Sequence, residues 1–258
     1  MGQFQNIKFA TDDRIGRITL ARPPLNILNI AAMREILSVV NDCARQRELA
    51  AIVFEAAPGS QAFSAGVAVE DHTPDRVFQM LDTFHSIFRS LLQAMKPTIA
   101  IVDGPALGGG CELMLACDLV IATNRARFGQ PEIKLGVFPP IAAILLPRAI
   151  GEKRAAELVL TGDLIEADEA LRLGLVNYVV APEELESKTN EVLSKFRELS
   201  ASSLAMTRAA LDLATRKNFE SILNEVENLY LHELLRTSDA DEGVRAFMEK
   251  RKPEWRNK

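Results

Sequence analysis

The sequence predicts an α/β fold with parallel strands, on three observations. Apolar runs of strand length alternate with amphipathic segments of helix length through the first two-thirds of the chain. In the middle, an apolar run at 99–102 passes through Asp103-Gly104-Pro105 and three consecutive glycines, Gly108, Gly109 and Gly110, into helix-forming Glu112-Leu113-Met114-Leu115-Ala116. After residue 185 the pattern is almost entirely helical.

The elements follow in order. Residues 7–9 and 15–20 read as strands, with Thr11-Asp12-Asp13 as the turn between them and Pro23-Pro24 closing the second. Residues 31–43 carry Met33, Ile36, Leu37 and Val40 on one face of a helix, and 51–54 is a buried strand. Pro58-Gly59-Ser60 opens a loop into Ala62-Phe63-Ser64-Ala65-Gly66-Val67, whose small residues let a ligand lie against main chain. A helix over 74–93 places Phe78, Leu81, His85, Phe88 and Leu92 on one stripe, with His85 a core or pocket-wall residue. Beyond the centre, 155–160 and 167–172 are helical, separated by Thr161-Gly162-Asp163, and 175–180 is a last strand. Residues 185–219 form helix broken near 200–203. A further helix spans 221–237, and Ser238 and Asp239 cap another over 240–250.

Composition narrows the function. The 258 residues are 48% hydrophobic and carry a net charge of −5, enough for one large core and without the basic blocks of a nucleic-acid or membrane surface. No basic-then-apolar leader opens the chain, and no apolar stretch approaches the roughly 18 residues of a membrane span. Cys43, Cys111 and Cys117 form no C-x-x-C pair and read as free thiols in a reducing cytoplasm; three scattered histidines give no metal site.

The central stretch carries the chemistry. Amides at a helix start lack intrahelical partners, and glycines let a substrate approach them closely. Glu112 stands in the first turn and Glu132 follows after one more apolar run. Donor amides beside two carboxylates can stabilise an oxyanion while protons move. Phosphate binding fails on spacing: Cys111-Glu112 follows the glycines where a Walker loop needs Lys-Ser/Thr, and Leu113 stands where a dinucleotide fingerprint needs glycine.

The run ALGGGCELMLACDLVIA, then ARFGQPEIKLGVFP and AAELVLTGDLIEADEALRLGLVNYVV, resembles the enoyl-CoA hydratase/isomerase (crotonase) family. Upstream AFSAGV and C-terminal EGVRAFMEKRKPEW extend the resemblance over essentially the whole chain. It implies a spiral of ββα units over residues 1–199 and a helical trimerisation region over 200–258, assembling as a trimer or dimer of trimers. It also implies oxyanion-hole amides at Val67 and Gly109, each such donor being worth roughly 3 kcal/mol in a transition state. Glu112 and Glu132 match the family's catalytic pair, with acid and base unassigned. Coenzyme A, a part of the substrate rather than a cofactor, is expected along Ala65 and Gly66, with Arg22, Phe247 and Lys250 as further contacts.

Departures from the family pattern surround the expected acyl pocket. Ala68 replaces the usual Asp, Pro23-Pro24-Leu25-Asn26 shortens the usual segment, and the loop 138–147 is apolar and proline-stiffened. His72, Pro140, Ile141 and Ile144 are therefore expected to wall a dry pocket. With AFSAGVAVEDHT and FHSIFR, these features are similar to the cyclohexa-1,5-diene-1-carbonyl-CoA hydratases of anaerobic aromatic degradation, whose flat ring suits such a pocket. The alternatives are a straight-chain 2-enoyl-CoA hydratase or isomerase and, in another class, a non-catalytic CoA-ester or RNA-binding protein.

Overall fold

The computed structural model describes residues 4–215 and 218–256. Strands β1 (Ile7–Asp12) and β2 (Ile15–Leu20) form an antiparallel hairpin. The turn falls at Asp13-Arg14, not at 11–13 as the sequence suggests. Both turn residues have positive φ (40° and 67°), the backbone that matches a two-residue turn to the twist of its strands. Parallel strands β3 (Ala51–Ala56), β4 (Thr98–Val102), β6 (Leu119–Thr123) and β9 (Tyr178–Val180) complete a sheet of order β1-β2-β3-β4-β6-β9. A small second sheet orders β5 (Ala106–Leu107), β7 (Arg127–Gly129) and β8 (Leu164–Glu166). Parallel pairing with crossover helices is what the alternating pattern predicts.

Helices α1 (Ile30–Arg45) and α2 (Val77–Ala94) pack against each other and form the main core with one face of the sheet. Asn29 caps α1, its Oδ1 accepting the Ala32 N–H at 2.9 Å. The buried stripe of α2 is Met80, Leu81, Phe84, Ile87, Phe88 and Leu91. Phe78 is 54% exposed, one residue off the expected stripe, because the helix begins at 77 and its core face is set by Val77 and Phe84. His85 is fully buried.

The short helix α3 (Gly109–Leu115) starts on the second of the three glycines. The apolar stretch read as a loop is helix α4 (Pro140–Ile150), with Pro140 at its first position, where a missing N–H costs nothing. Helices α5 (Glu152–Thr161), α6 (Ala167–Arg172), α7 (Leu185–Arg197) and α8 (Ala201–Thr215) follow. The break between α7 and α8 falls at 198–200, slightly ahead of expectation. Helix α9 (Phe219–Asn228) ends in a π-helical turn (Leu229–Glu233) and a 3-10 turn (Leu234–Arg236), where the sequence suggests continuous helix to 237. Helix α10 (Ser238–Met248) is capped by Thr237, whose Oγ1 accepts the Ala240 N–H at 3.2 Å, so Ser238 and Asp239 lie inside the helix. No helix among the described residues is long and apolar enough to cross a membrane.

Candidate active site

The floor of the site is two neighbouring backbone segments. Buried Asn26 donates through Nδ2 to Ala62 O at 2.9 Å, and Ser64 Oγ donates to Asn26 O at 2.8 Å. Leu28 N–H donates to Gly66 O, and Ala68 N–H to Leu28 O. The Val67 amide between them takes no part in this ladder. Leu107 N–H donates to Ser64 O, and Gly108 N–H to Gly129 O, which brings the glycine turn alongside. Gly109 opens α3, so its N–H has no intrahelical acceptor.

The approach of the two segments requires glycine. A methyl on Gly109 would lie 2.6 Å from Val67 Cγ2, 3.1 Å from Phe84 Cζ and 3.4 Å from Val67 N. One on Gly66, at φ 102°, would lie 3.0 Å from Leu107 O. Gly108, at φ 51°, clears the other carboxylate: a methyl there would meet Glu132 Oε1 at 2.7 Å.

Glu112, 3% exposed, points from α3 into the first turn of α4. Its Oε1 accepts the Ala142 N–H at 2.9 Å, and the Ile141 amide also donates to the carboxylate. Pro140 leaves the first position of α4 without a donor, so the next two amides do this work. Glu132 sits on a 3-10 turn (Pro131–Leu135). Behind it, fully buried Gln130 takes the amide orientation that satisfies both of its ends, with its nitrogen 3.2 Å from each Glu132 oxygen. Burial pushes both carboxyls above their ordinary value of 4.5; the Glu112 charge pushes Glu132 further, while the α4 amides pull Glu112 back.

Val67, Gly109, Glu112 and Glu132 line one cavity of about 350 Å³, together with Ala65, Gly66, His72, Pro140 and Phe247. The remaining expected residues lie elsewhere. Ile141 and Ile144 are 0% and 5% exposed and belong to the core beneath α4, because a helix turns them away from the wall an extended loop would have formed. Arg22 is outside the cavity, its guanidinium donating to the Ile27 carbonyl. Lys250 is exposed and outside the lining.

The sequence reading missed several wall residues. Met80 and Phe84 come from α2, where a spacing of four on an apolar helix signals only core. Tyr230 comes from the π-helical turn and packs edge-on against Phe138, ring centroids 5.2 Å apart. Lys134 also lines the cavity, while its Nζ donates to Gly162 O at 2.7 Å. Among the described residues, no group of His, Cys, Asp or Glu is placed to hold a metal.

Comparison with known proteins identifies the family. Residues 10–258 match the family model described as enoyl-CoA hydratase/isomerase. A probable enoyl-CoA hydratase of Mycobacterium bovis is 39% identical, covering 98% of each chain. A cyclohexa-1,5-dienecarbonyl-CoA hydratase of Thauera aromatica is 36% identical over 96% of this chain and 95% of its own. Among solved structures, an enoyl-CoA hydratase from Mycobacterium avium subsp. paratuberculosis superposes with a TM-score of 0.88 at 26% identity, covering 99% of this chain and all of that one. With its ββα core, its helical C-terminal region and this match along nearly its whole length, the chain belongs to the enoyl-CoA hydratase/isomerase family and is an enzyme of the hydratase type.

Proposed function

We propose that the protein adds water across the α,β-double bond of a compact unsaturated acyl-CoA, with a cyclic dienoyl-CoA such as cyclohexa-1,5-diene-1-carbonyl-CoA as its substrate. The observation that carries this reading is the single cavity lined by Val67, Gly109, Glu112 and Glu132. Attack of water on the β-carbon builds enolate charge on the thioester oxygen. The Val67 and Gly109 amides receive that charge, and each donor contributes about 3 kcal/mol in the transition state.

The carboxylates divide the proton work. Two backbone amides stabilise the ionised form of Glu112, so it ionises first and acts as the base that takes a proton from water. The resulting charge keeps Glu132 protonated, and Glu132 delivers the proton to the α-carbon. The net change is one water gained, without a cofactor. Coenzyme A lies along Ala65 and Gly66, with Phe247 at the cavity; Arg22 and Lys250 reach only parts of the coenzyme outside it.

The cyclic substrate is supported by the Thauera aromatica relative and by the aromatic and proline walls, Phe84, Phe138, Pro139 and Pro140. A straight-chain reading rests on a short-chain-enoyl-CoA hydratase of Clostridium acetobutylicum, 34% identical, and a crotonyl-CoA hydratase of Syntrophomonas wolfei, 33% identical. Incubation with crotonyl-CoA and with the cyclic dienoyl-CoA, followed by mass analysis for one added water, separates them. Efficient hydration of crotonyl-CoA alone removes the cyclic substrate.

The chain is further proposed to act in the cytoplasm as a homotrimer or dimer of trimers, with residues 200–258 as the assembling region. Exposed Met206 and Leu213 on α8 support a contact there. Sedimentation of a monomer at micromolar concentration would remove this assembly.

A further inference from the structure

A second cavity of about 230 Å³ lies between the start of α2 and the C-terminal helices. Val77, Leu231, Leu235 and Val244 give it apolar walls, while Thr73, Asp241 and Arg245 give it a polar side. Among the described residues, it shares one lining residue with the reaction cavity, His72.

The His72 ring is fixed in place. It ends the 3-10 turn Val69–His72, and its Nδ1 lies 3.1 Å from the Ala68 carbonyl oxygen. A carbonyl only accepts, so the Nδ1 proton donates to it. Burial holds the ring neutral against the pull of Asp71 and Glu70. The imidazole is therefore a flat, anchored partition and not a mobile charge. Next to it, Asp71 is itself pinned, accepting the Ile30 N–H at 3.0 Å and pairing with Arg76 at 2.8 Å.

We propose that His72 is a specificity-determining partition: it closes the reaction cavity at the size of a compact acyl group, and it is also a wall of a second, mostly apolar compartment. The proposal rests on the acyl-CoA reading of the cavity. It explains how one lining can favour a ring over an extended chain. An extended chain that reached the imidazole would have to displace a ring anchored to main chain. Without the imidazole, further methylenes would enter a space walled by Val77, Leu231, Leu235 and Val244, and each buried methylene adds to affinity.

The test is a ladder of saturated ligands, butyryl-, hexanoyl-, octanoyl- and decanoyl-CoA, titrated calorimetrically into wild type, His72→Ala and the double variant His72→Ala/Val244→Phe. In His72→Ala the affinity for decanoyl-CoA relative to butyryl-CoA is expected to rise by about tenfold or more. The added phenyl ring fills the second compartment and is expected to cancel that gain. Parallel changes along the whole ladder in His72→Ala, or a gain that survives Val244→Phe, would overturn the proposal. If the alanine variant does not fold, His72→Asn serves in its place, keeping a donor for the Ala68 carbonyl on a shorter side chain. Hydration by the wild type is scored separately: its absence overturns the hydratase reading, whereas the binding ladder alone decides the partition.

Discussion

The two carboxylates occupy regions built in opposite ways. Glu112 belongs to the interior: its helix α3 is buried throughout, and its side chain is held by the first amides of α4. Glu132 belongs to a single 3-10 turn in which none of the residues is fully buried, and a neutral amide from Gln130 stands behind it. One acid is fixed by packed secondary structure and the other by a loop. The chemistry proposed for each follows. A base must hold charge in a dry place, which the α4 amides favour; an acid must stay neutral, which burial and the nearby Glu112 charge favour over the pull of the Gln130 amide.

Removing the acids tests this contrast most directly. Glu112→Gln is expected to lower turnover by about 10²–10⁴-fold while the thermal midpoint holds or rises, since a buried carboxyl is replaced by an isosteric amide. Steady-state hydration and a melting curve on one sample measure both. Unchanged turnover would end the hydratase reading and favour a binding protein. Glu132→Gln is expected to lower turnover within the same range, with little change in melting because its turn is only half-buried.

The glycines sharpen the contrast between chemistry and packing. Gly109→Ala drives a methyl onto Val67 and Phe84, and should cost about 10²–10³-fold in kcat by parting the two amides. Gly110→Ala, one residue on, instead meets Ser64 O at 2.5 Å and Ser64 Cβ at 2.6 Å. Its expected signature is lost stability, about 1–3 kcal/mol by denaturant unfolding. Equal kinetic damage from both would mean that the amides have no special role.

A third measurement isolates the donors of α4. The base must be ionised, so kcat/KM should rise with pH through the raised Glu112 value. The acid must be protonated, so it should fall again as Glu132, raised by burial and by the Glu112 charge, loses its proton. Ala142→Pro removes one N–H from the first helical turn, where proline is tolerated, and should move the rising limb up by about one to two pH units. A fixed rising limb would assign it to another group.

Much of this was legible in the chain. Strand β2 lies where the apolar run Ile15–Leu20 puts it, and the glycine turn ahead of Glu112 declares both a close approach and a helix start. Helix α4 was not legible: its apolar residues surround the axis, which leaves no face for periodicity to find, and a proline pair reads as a loop until one proline takes the first helical position. That misreading moved Ile141 and Ile144 to the pocket and hid the amides that hold Glu112. Tyr230 was also beyond reach, since it reaches the cavity from a π-helical turn roughly a hundred residues away in sequence.

The smallest expected effect lies where the core meets the C-terminal helices. His85 on α2 is fully buried, with Nδ1 2.6 Å from Glu227 Oε1 on α9; Arg89 donates to the same oxygen at 2.9 Å and to Glu220 at 2.9 Å. Burial lowers the His85 value below its ordinary 6.5, outweighing the pull of Glu227 and of Asp82, while Arg89 acts in the same direction as burial. The ring is therefore neutral in the fold and donates its Nδ1 proton to Glu227. The unfolded chain binds the extra proton first, so the stability linked to this ring is complete above pH 6.5 and is lost as the pH falls toward the depressed folded value. His72, also depressed by burial, contributes a slope of the same sign. The raised Glu112 and Glu132 carboxyls contribute a slope of the opposite sign to wild type and variant alike, so the readout is the difference: denaturant midpoints of the wild type should fall relative to those of His85→Gln as the pH drops from 7.5. A wild type that instead gains stability relative to the variant as the pH falls would mean that the His85 ring is charged in the folded protein, and that α2 and α9 are joined there by an ion pair instead of a neutral hydrogen bond.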